Sequence, residues 1–218
     1  MLLHIDKRVA ILTTILLTLV SVSYAVTICT LKDPDRDVRR FFPKSSNYKT
    51  KTILIETAGG DVLIQQIEVR LGDKLDPVYE GKDIEHTTYM VLQDRKPIGY
   101  VSGINQKGEF GNLQIFMATD MMGKILKLKY QRIVSRHAKL LRNKAFTENF
   151  EGLTLADFYR NTSAFQKLLP PSPESTKDFK ATLRGVKKNL IYLDLFILNR
   201  KYDAIYQKIS TKKGDRKP

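Results

Sequence analysis

Four strand-like runs follow one another in the middle of the chain, and they limit the folds it can adopt more than any other feature. The runs read HTTYMVLQ, PIGYVSGI, NLQIFMATD and KILKLKYQRI. Polar or glycine-bearing segments separate them at residues 94–96, 105–111 and 121–123. Because turn residues recur about every ten residues, the pattern predicts consecutive antiparallel strands that form a meander.

The last of these runs alternates between apolar and basic residues. Leu126, Leu128 and Tyr130 are predicted to share a buried face, while Lys127 and Lys129 share a basic face. From Lys124 to Lys144 the chain carries eight lysines or arginines and no acidic residue. This basic face is either an ordinary solvated surface or a surface for anions and lipid headgroups.

Helices are predicted on both sides of the meander. KTILIE, at residues 51–56, predicts a first strand, and DVLIQQIEVRL after Gly59 and Gly60 predicts an amphipathic helix. Apolar residues spaced by three and four mark a long last helix that packs against the sheet. They are Phe179, Leu183, Val186, Leu190, Leu193 and Ile197.

An uncharged apolar stretch of 21 residues runs from Val9 to Cys29. At about 1.5 Å per residue, a helix of this length crosses the roughly 30 Å apolar core of a bilayer. A cleaved signal peptide is the competing interpretation, because Ser23-Tyr24-Ala25 resembles a cleavage site, and a lipoprotein signal ending at Cys29 is a third. The apolar run continues past Ala25, which favours a retained anchor.

The chain is therefore expected to have an α+β fold, with an antiparallel sheet packed against helices and an N-terminal transmembrane helix. Residues 1–30 form the anchor or signal peptide, and residues 31–50 a charged juxtamembrane linker. In this linker DPDRDVRRFFPK predicts a short helix that ends at Pro43. Residues 51–209 form the folded domain, and residues 210–218 a basic tail.

The composition restricts the chemistry. Cys29 is the single cysteine, and His4, His86 and His137 are scattered, so no disulfide or thiolate metal cluster is expected and no metal site is predicted. Local sequence shows no catalytic triad, phosphate-binding loop or dinucleotide fingerprint. A net charge of +14 favours anionic partners. Charge does not choose among phosphate cofactors, lipid headgroups and nucleic acid. A nucleic-acid partner would rest on charge alone, and we do not expect one.

Adjacent hydroxyl groups stand where the last helix begins. The segment PESTKDFK places Ser175 and Thr176 there. Such residues accept hydrogen bonds from backbone N–H groups that lack helical partners, and the spacing of Ser175 and Asp178 predicts a capping box. The same N–H groups favour anions, so a phosphate site is the alternative interpretation.

The order and spacing of three stretches resemble the FMN-binding domain family. The stretches are GYVSGINQKGEFGNLQIFMATDMMGKILKLKYQRI, FTENFEGLTLADF and RGVKKNL. The resemblance covers about residues 40–200 and includes the N-terminal span. The family contains the G subunit of the Rnf electron transport complex and the C subunit of the sodium-translocating NADH:quinone oxidoreductase. The resemblance implies a single-pass membrane protein whose soluble domain lies on the outer, periplasmic or extracytoplasmic side.

The resemblance also implies a flavin site at the start of the last helix. In the family, a threonine in a Ser-Gly-Ala-Thr-like segment carries FMN through its phosphate. Thr176 falls on that threonine when residues 184–186 are set against the family's helix, and Pro173, Glu174 and Ser175 stand in place of Ser-Gly-Ala.

Two further sets of residues would complete this site. Cations near the start of the helix would hold the phosphate, namely Lys177, Lys180 and Arg184. Glycines would let the isoalloxazine ring approach the backbone, namely Gly103, Gly108 and Gly111, although turns and bulges are the default reason for them.

We therefore expect a membrane-anchored FMN-binding electron-transfer domain, a carrier subunit of a redox complex and not a stand-alone enzyme. FMN would be joined to Thr176 by a phosphoester or held without a covalent bond. Its partners would be membrane redox proteins, the lipid bilayer and a flavin transferase. The alternative is a cofactor-less binding or assembly module of the same fold in a membrane complex.

Overall fold

The computed structural model describes residues 29–214, which form an α+β fold. The strands are β1 (Asn47–Leu54), β2 (Glu85–Gln93), β3 (Lys96–Lys107), β4 (Asn112–Thr119) and β5 (Ile125–Ile133). The helices before β2 are α1 (Pro34–Phe41), α2 (Ile55–Ala58), α3 (Gly60–Leu71) and α4 (Pro77–Glu80). Those after β5 are α5 (Ala138–Leu141), α6 (Lys144–Thr147), α7 (Leu155–Arg160), α8 (Ser163–Gln166), α9 (Thr176–Phe196) and α10 (Asp203–Gly214). Two 3-10 turns cover Glu148–Phe150 and Pro173–Ser175.

The predicted meander is confirmed. The sheet has the order β1-β2-β3-β4-β5, and each neighbouring pair is antiparallel. Asp94 and Arg95 connect β2 to β3 with φ angles of 50° and 66°. A two-residue turn with two positive φ angles matches the right-handed twist of the strands that it joins. The hairpin therefore sets the β2–β3 register locally.

β5 departs from the simple alternation that its sequence predicts. Two of its residues, Ile125 and Leu126, lie opposite Thr119 of β4, so the strand contains a bulge. Leu126 is 39% exposed, whereas Leu128 and Tyr130 are buried. The prediction that Leu126 shares the buried face is wrong, because a bulge inserts one residue and breaks the period of two.

α9 crosses one face of the sheet and builds the larger core with it. Phe179, Val186 and Leu190 lie in the same hydrophobic cluster as Ile104 of β3, which confirms that the last helix packs on the sheet. Gly185 allows the close approach, because a methyl group there would come within 2.9 Å of the Ile104 side chain. Gly185 thus lets α9 lie close to the sheet with this side of the helix facing it.

The opposite face of the sheet is partly covered by the segment that leads into β1. Val38 and Phe41 of α1 pack with Val101 and Phe116 of the sheet in a second, smaller cluster. The helix predicted in the linker is confirmed, but residues 31–50 do not form a free linker. They contribute α1 to this cluster and begin β1 at Asn47.

Nearly all of the predicted membrane span falls in residues 1–28, outside the described residues. None of the helices between residues 29 and 214 combines the length and hydropathy that a bilayer crossing requires. The anchor, signal-peptide and lipoprotein interpretations stay predictions. At the other end, α10 continues to Gly214, so helix extends into the segment predicted as a basic tail.

Candidate functional site

Three segments meet where α9 begins, and we call this place the α9 junction. It consists of the β3–β4 hairpin (residues 107–112), the chain that leaves β5 (133–137) and the start of α9 (172–178). Five of the residues predicted to bind FMN lie in these segments, namely Gly108, Gly111, Ser175, Thr176 and Lys177. Gly103, Lys180 and Arg184 lie outside it.

A buried carboxylate holds the junction together. Asp178, in the first turn of α9, is completely buried. Its Oδ1 accepts the backbone N–H of Glu109 at 2.7 Å, and its Oδ2 accepts the hydroxyl of Ser135. Gly108 makes room for this contact, because a methyl group there would lie 2.7 Å from Asp178 Oδ1. A negative charge at a helix start is favourable with the helix dipole, and here the protein supplies that charge itself.

The capping arrangement lies one turn earlier than predicted. The Ser175 hydroxyl donates to the carbonyl of Ser172 at 2.7 Å and accepts its N–H at 3.1 Å. Ser175 makes no side-chain cap bond to α9, and Asp178 bonds the hairpin. The predicted capping box of Ser175 and Asp178 is therefore wrong, because Ser175 closes the 3-10 turn that leads into the helix.

Thr176, the predicted attachment residue, is half-buried at the surface of the junction. Its hydroxyl donates to the carbonyl of Pro173 at 2.6 Å, as the first residue of α9. Glu174 is exposed beside it. The Thr176 oxygen is thus near the surface, but its hydroxyl group is engaged in a hydrogen bond to the nearby backbone.

The three predicted phosphate-binding cations are not gathered around Thr176. Lys177 Nζ pairs with Glu109 Oε1 at 2.8 Å, and this carboxylate raises the pKa of Lys177. Arg184 lies two turns further along α9, where its guanidinium bonds Glu80 and Asp73. Lys180 is exposed, and no described residue pairs with it.

The other two predicted glycines have structural reasons for being glycine. Gly103 lies in the middle of β3 opposite Phe116, and a methyl group there would come within 2.4 Å of the Phe116 ring. Gly111 has a φ angle of 148° and packs against Val134. Packing therefore accounts for both positions.

The outer surface of the junction is partly apolar. Phe110 at the hairpin tip is 39% exposed and Val134 is 36% exposed. The guanidinium of Arg136 lies 4.9 Å from the centroid of the Phe110 ring, a cation–π geometry that keeps both side chains in place. Leu140, on the following helix, is also exposed. The surface of the junction thus carries the Phe110–Arg136 pair, and exposed aliphatic residues lie near it in the chain.

No model of a known protein family matches this chain, and no curated protein is similar to it in sequence. Membership of the FMN-binding domain family therefore stays a prediction that rests on the residues quoted above. Between residues 29 and 214, no group of three histidine, cysteine or acidic side chains could hold a metal ion.

A second polar cluster, which sequence reasoning missed, lies inside the domain. Lys188 of α9 and Glu80 of α4 are each 1% exposed, and their charged groups are in direct contact. Lys188 also donates to the Asn105 carbonyl at 2.8 Å, and Arg184 bonds the Glu80 carboxylate. Burial lowers the pKa of Lys188 to about 8 in spite of Glu80. Burial also acts to raise the pKa of Glu80, but Lys188 and Arg184 outweigh it and lower that pKa.

His86 lies buried on the α9 side of the sheet. Its ring centroid is 4.1 Å from that of Tyr192, and its Nε2 has no hydrogen-bond partner among the described residues. Burial, with a smaller contribution from the positive charge of Lys188, lowers the pKa of His86 to about 3. The imidazole is therefore neutral in the folded protein at physiological pH.

Proposed function

We propose that the chain is a membrane-tethered binding module that takes part in the assembly of a membrane complex without a bound flavin. The contacts of the Asp178 carboxylate are the observation that carries this proposal. This buried carboxylate already accepts the Glu109 N–H and the Ser135 hydroxyl at the start of α9. A phosphate in this place would compete for those donors and would be repelled by a like charge in a partly buried site.

The surrounding charges support the same conclusion. Glu109 and Glu174 add two carboxylates at the junction, and Lys177 already pairs with Glu109. Arg184 is held by Glu80 and Asp73. An anionic cofactor would have to break these ion pairs before it gained new ones, which reduces its net binding free energy.

The exposed side of the junction suits a protein partner. Aromatic and arginine side chains are the types that most often dominate binding at protein interfaces, and Phe110 and Arg136 are such a pair. The cation-rich segment from Lys124 to Lys144 passes through the junction at residues 133–137 and contains no acidic residue. We therefore infer a partner whose surface combines apolar residues with carboxylates.

Flavin content tests the first half of the proposal. The full chain, produced in cells that contain a flavin-attaching transferase, is expected to have an intact mass without added FMN and to be colourless. Calorimetric titration with FMN is expected to give no binding heat, because Asp178 occupies the donors. An added FMN mass that disappears in Thr176→Ala and persists in the control Thr57→Ala would overturn the proposal.

Cross-linking in intact cells tests the second half. A photoreactive amino acid at Phe110 is expected to yield a discrete protein adduct, and Arg136→Glu is expected to weaken that adduct at least about tenfold, because like charges across an interface are repulsive. The matched control is the same amino acid at Val78, which is 70% exposed on α4. Equal labelling at both positions would exclude the junction as the binding surface.

A membrane-anchored flavin carrier is the second candidate, and the accessible position of Thr176 favours it. A transferase acts on a side chain near the surface, and Thr176 is the half-buried first residue of a 21-residue helix. FMN bound there would carry out the redox chemistry, and the protein would supply position and electrostatics. The intact mass separates the two candidates directly.

A further inference from the structure

A cleft of about 250 Å³ lies between α1 and β5, on the face of the sheet opposite α9. Four cations line it against one carboxylate, namely Lys32, Arg36, Arg40 and Lys129 against Asp37. Its remaining lining is largely apolar and includes Phe41 and Phe116. An excess of positive charge over an apolar floor is the environment that an amphiphilic anion requires.

Both arginines contact the carboxylate of Asp37. Arg36 Nε lies 3.0 Å from Asp37 Oδ1, and Arg40 Nη1 lies 3.2 Å from the same oxygen. Arg36 Nε also lies 3.7 Å from Asp33 Oδ2. Each guanidinium carries five N–H donors, so most donors of both groups remain for a further acceptor. Arginine is also the side chain whose planar fork matches the oxygens of phosphate.

Lys129 completes the cleft from the side of the sheet. Its Nζ lies 5.3 Å from the centroid of the Phe41 ring. Burial lowers the pKa of Lys129, and the positive charges of Lys127 and Arg40 lower it further against a smaller opposing effect of Asp37. Cations from two elements are thus crowded together, and a bound anion would relieve their repulsion.

We propose that this cleft binds the phosphate group of an anionic ligand, with a membrane phospholipid as one source and a soluble phosphate ester as the other. The lipid source rests on the membrane tether of the proposed function. Cys29, the last residue of the predicted span, is already buried in the smaller cluster with α1, two residues before Leu31 of the cleft. A tether formed by the preceding residues would therefore join the domain beside the cleft and keep it near the headgroups. The phosphate chemistry itself does not depend on the tether.

Native mass spectrometry of the full chain in detergent tests this proposal. Phosphatidylglycerol is expected to remain bound at least about tenfold more than phosphatidylcholine, because only the former carries a net negative charge. The variant Arg36→Gln/Lys129→Gln is expected to lose this preference. The control Lys144→Gln/Lys167→Gln removes the same charge elsewhere on the domain and is expected to keep it.

Two further measurements distinguish the sources and the tether. Glycerol 3-phosphate titrated by calorimetry identifies a soluble ligand if it binds through Arg36 and Lys129 while phosphatidylglycerol shows no preference over phosphatidylcholine. Resistance of the full chain to carbonate extraction reports the tether independently, so its failure would remove the lipid source alone. If neither phosphatidylglycerol nor glycerol 3-phosphate responds to the Arg36→Gln/Lys129→Gln variant, the cleft is not a phosphate site.

Discussion

Glu80→Gln is expected to lower the free energy of unfolding by about 3–5 kcal/mol, the usual cost of removing one partner of a buried ion pair. Glu80 is the carboxylate that compensates both Lys188 and Arg184 inside the domain. Glutamine has the same shape but no charge, so the buried ammonium of Lys188 keeps only neutral acceptors such as the Asn105 carbonyl. Urea unfolding monitored by circular dichroism measures the change.

Two comparisons isolate this effect. Glu56→Gln removes an exposed carboxylate that lies 3.9 Å from Lys82, and it is expected to change stability by less than about 1 kcal/mol. The double variant Glu80→Gln/Lys188→Met removes both buried charges and is expected to be more stable than Glu80→Gln alone. A loss below about 1 kcal/mol for Glu80→Gln would show that the pair does not stabilise the fold.

Acidification is expected to destabilise the protein through His86. A histidine titrates near pH 6.5 when unfolded, whereas burial lowers the pKa of His86 to about 3 in the folded protein. Between these values only the unfolded state binds the proton, so stability falls as the pH falls. The loss from this residue is about 3 kcal/mol between pH 7 and pH 4, since each pH unit is worth up to about 1.4 kcal/mol.

His86→Phe removes this contribution and keeps an aromatic ring against Tyr192. Chemical denaturation at pH 7 and pH 4 should therefore show a smaller acid destabilisation in His86→Phe than in the wild type. An unchanged slope in His86→Phe would mean that other groups dominate the acid response.

The sheet and the long helix could be predicted because their signals are local. The turn at Asp94 and Arg95 and the alternating runs beside it define a hairpin within a few residues. The stripe through Phe179, Val186 and Leu190 marks one packed face of α9. Both patterns repeat within the segment that they describe, so no distant contact is needed to read them.

The features that were predicted wrongly or missed depend on contacts between residues far apart in the chain. The bulge at Leu126 is defined only when β5 is placed against β4. Asp178 looks like a capping residue until the hairpin, 69 residues away, brings the Glu109 N–H to it. Lys188 likewise pairs with a residue 108 positions away, and the only local signal is that the run NLIYLDLF is too apolar for a helix with one buried side.

β1 stands at one edge of the sheet, because β2 is the only strand with which it pairs among the described residues. An edge strand offers unpaired backbone groups on which a second molecule could add a strand and so begin to aggregate. Lys49 and Lys51 lie on β1, and two such edges brought together would place four ammonium groups side by side. This repulsion opposes fibre formation where many copies are crowded together.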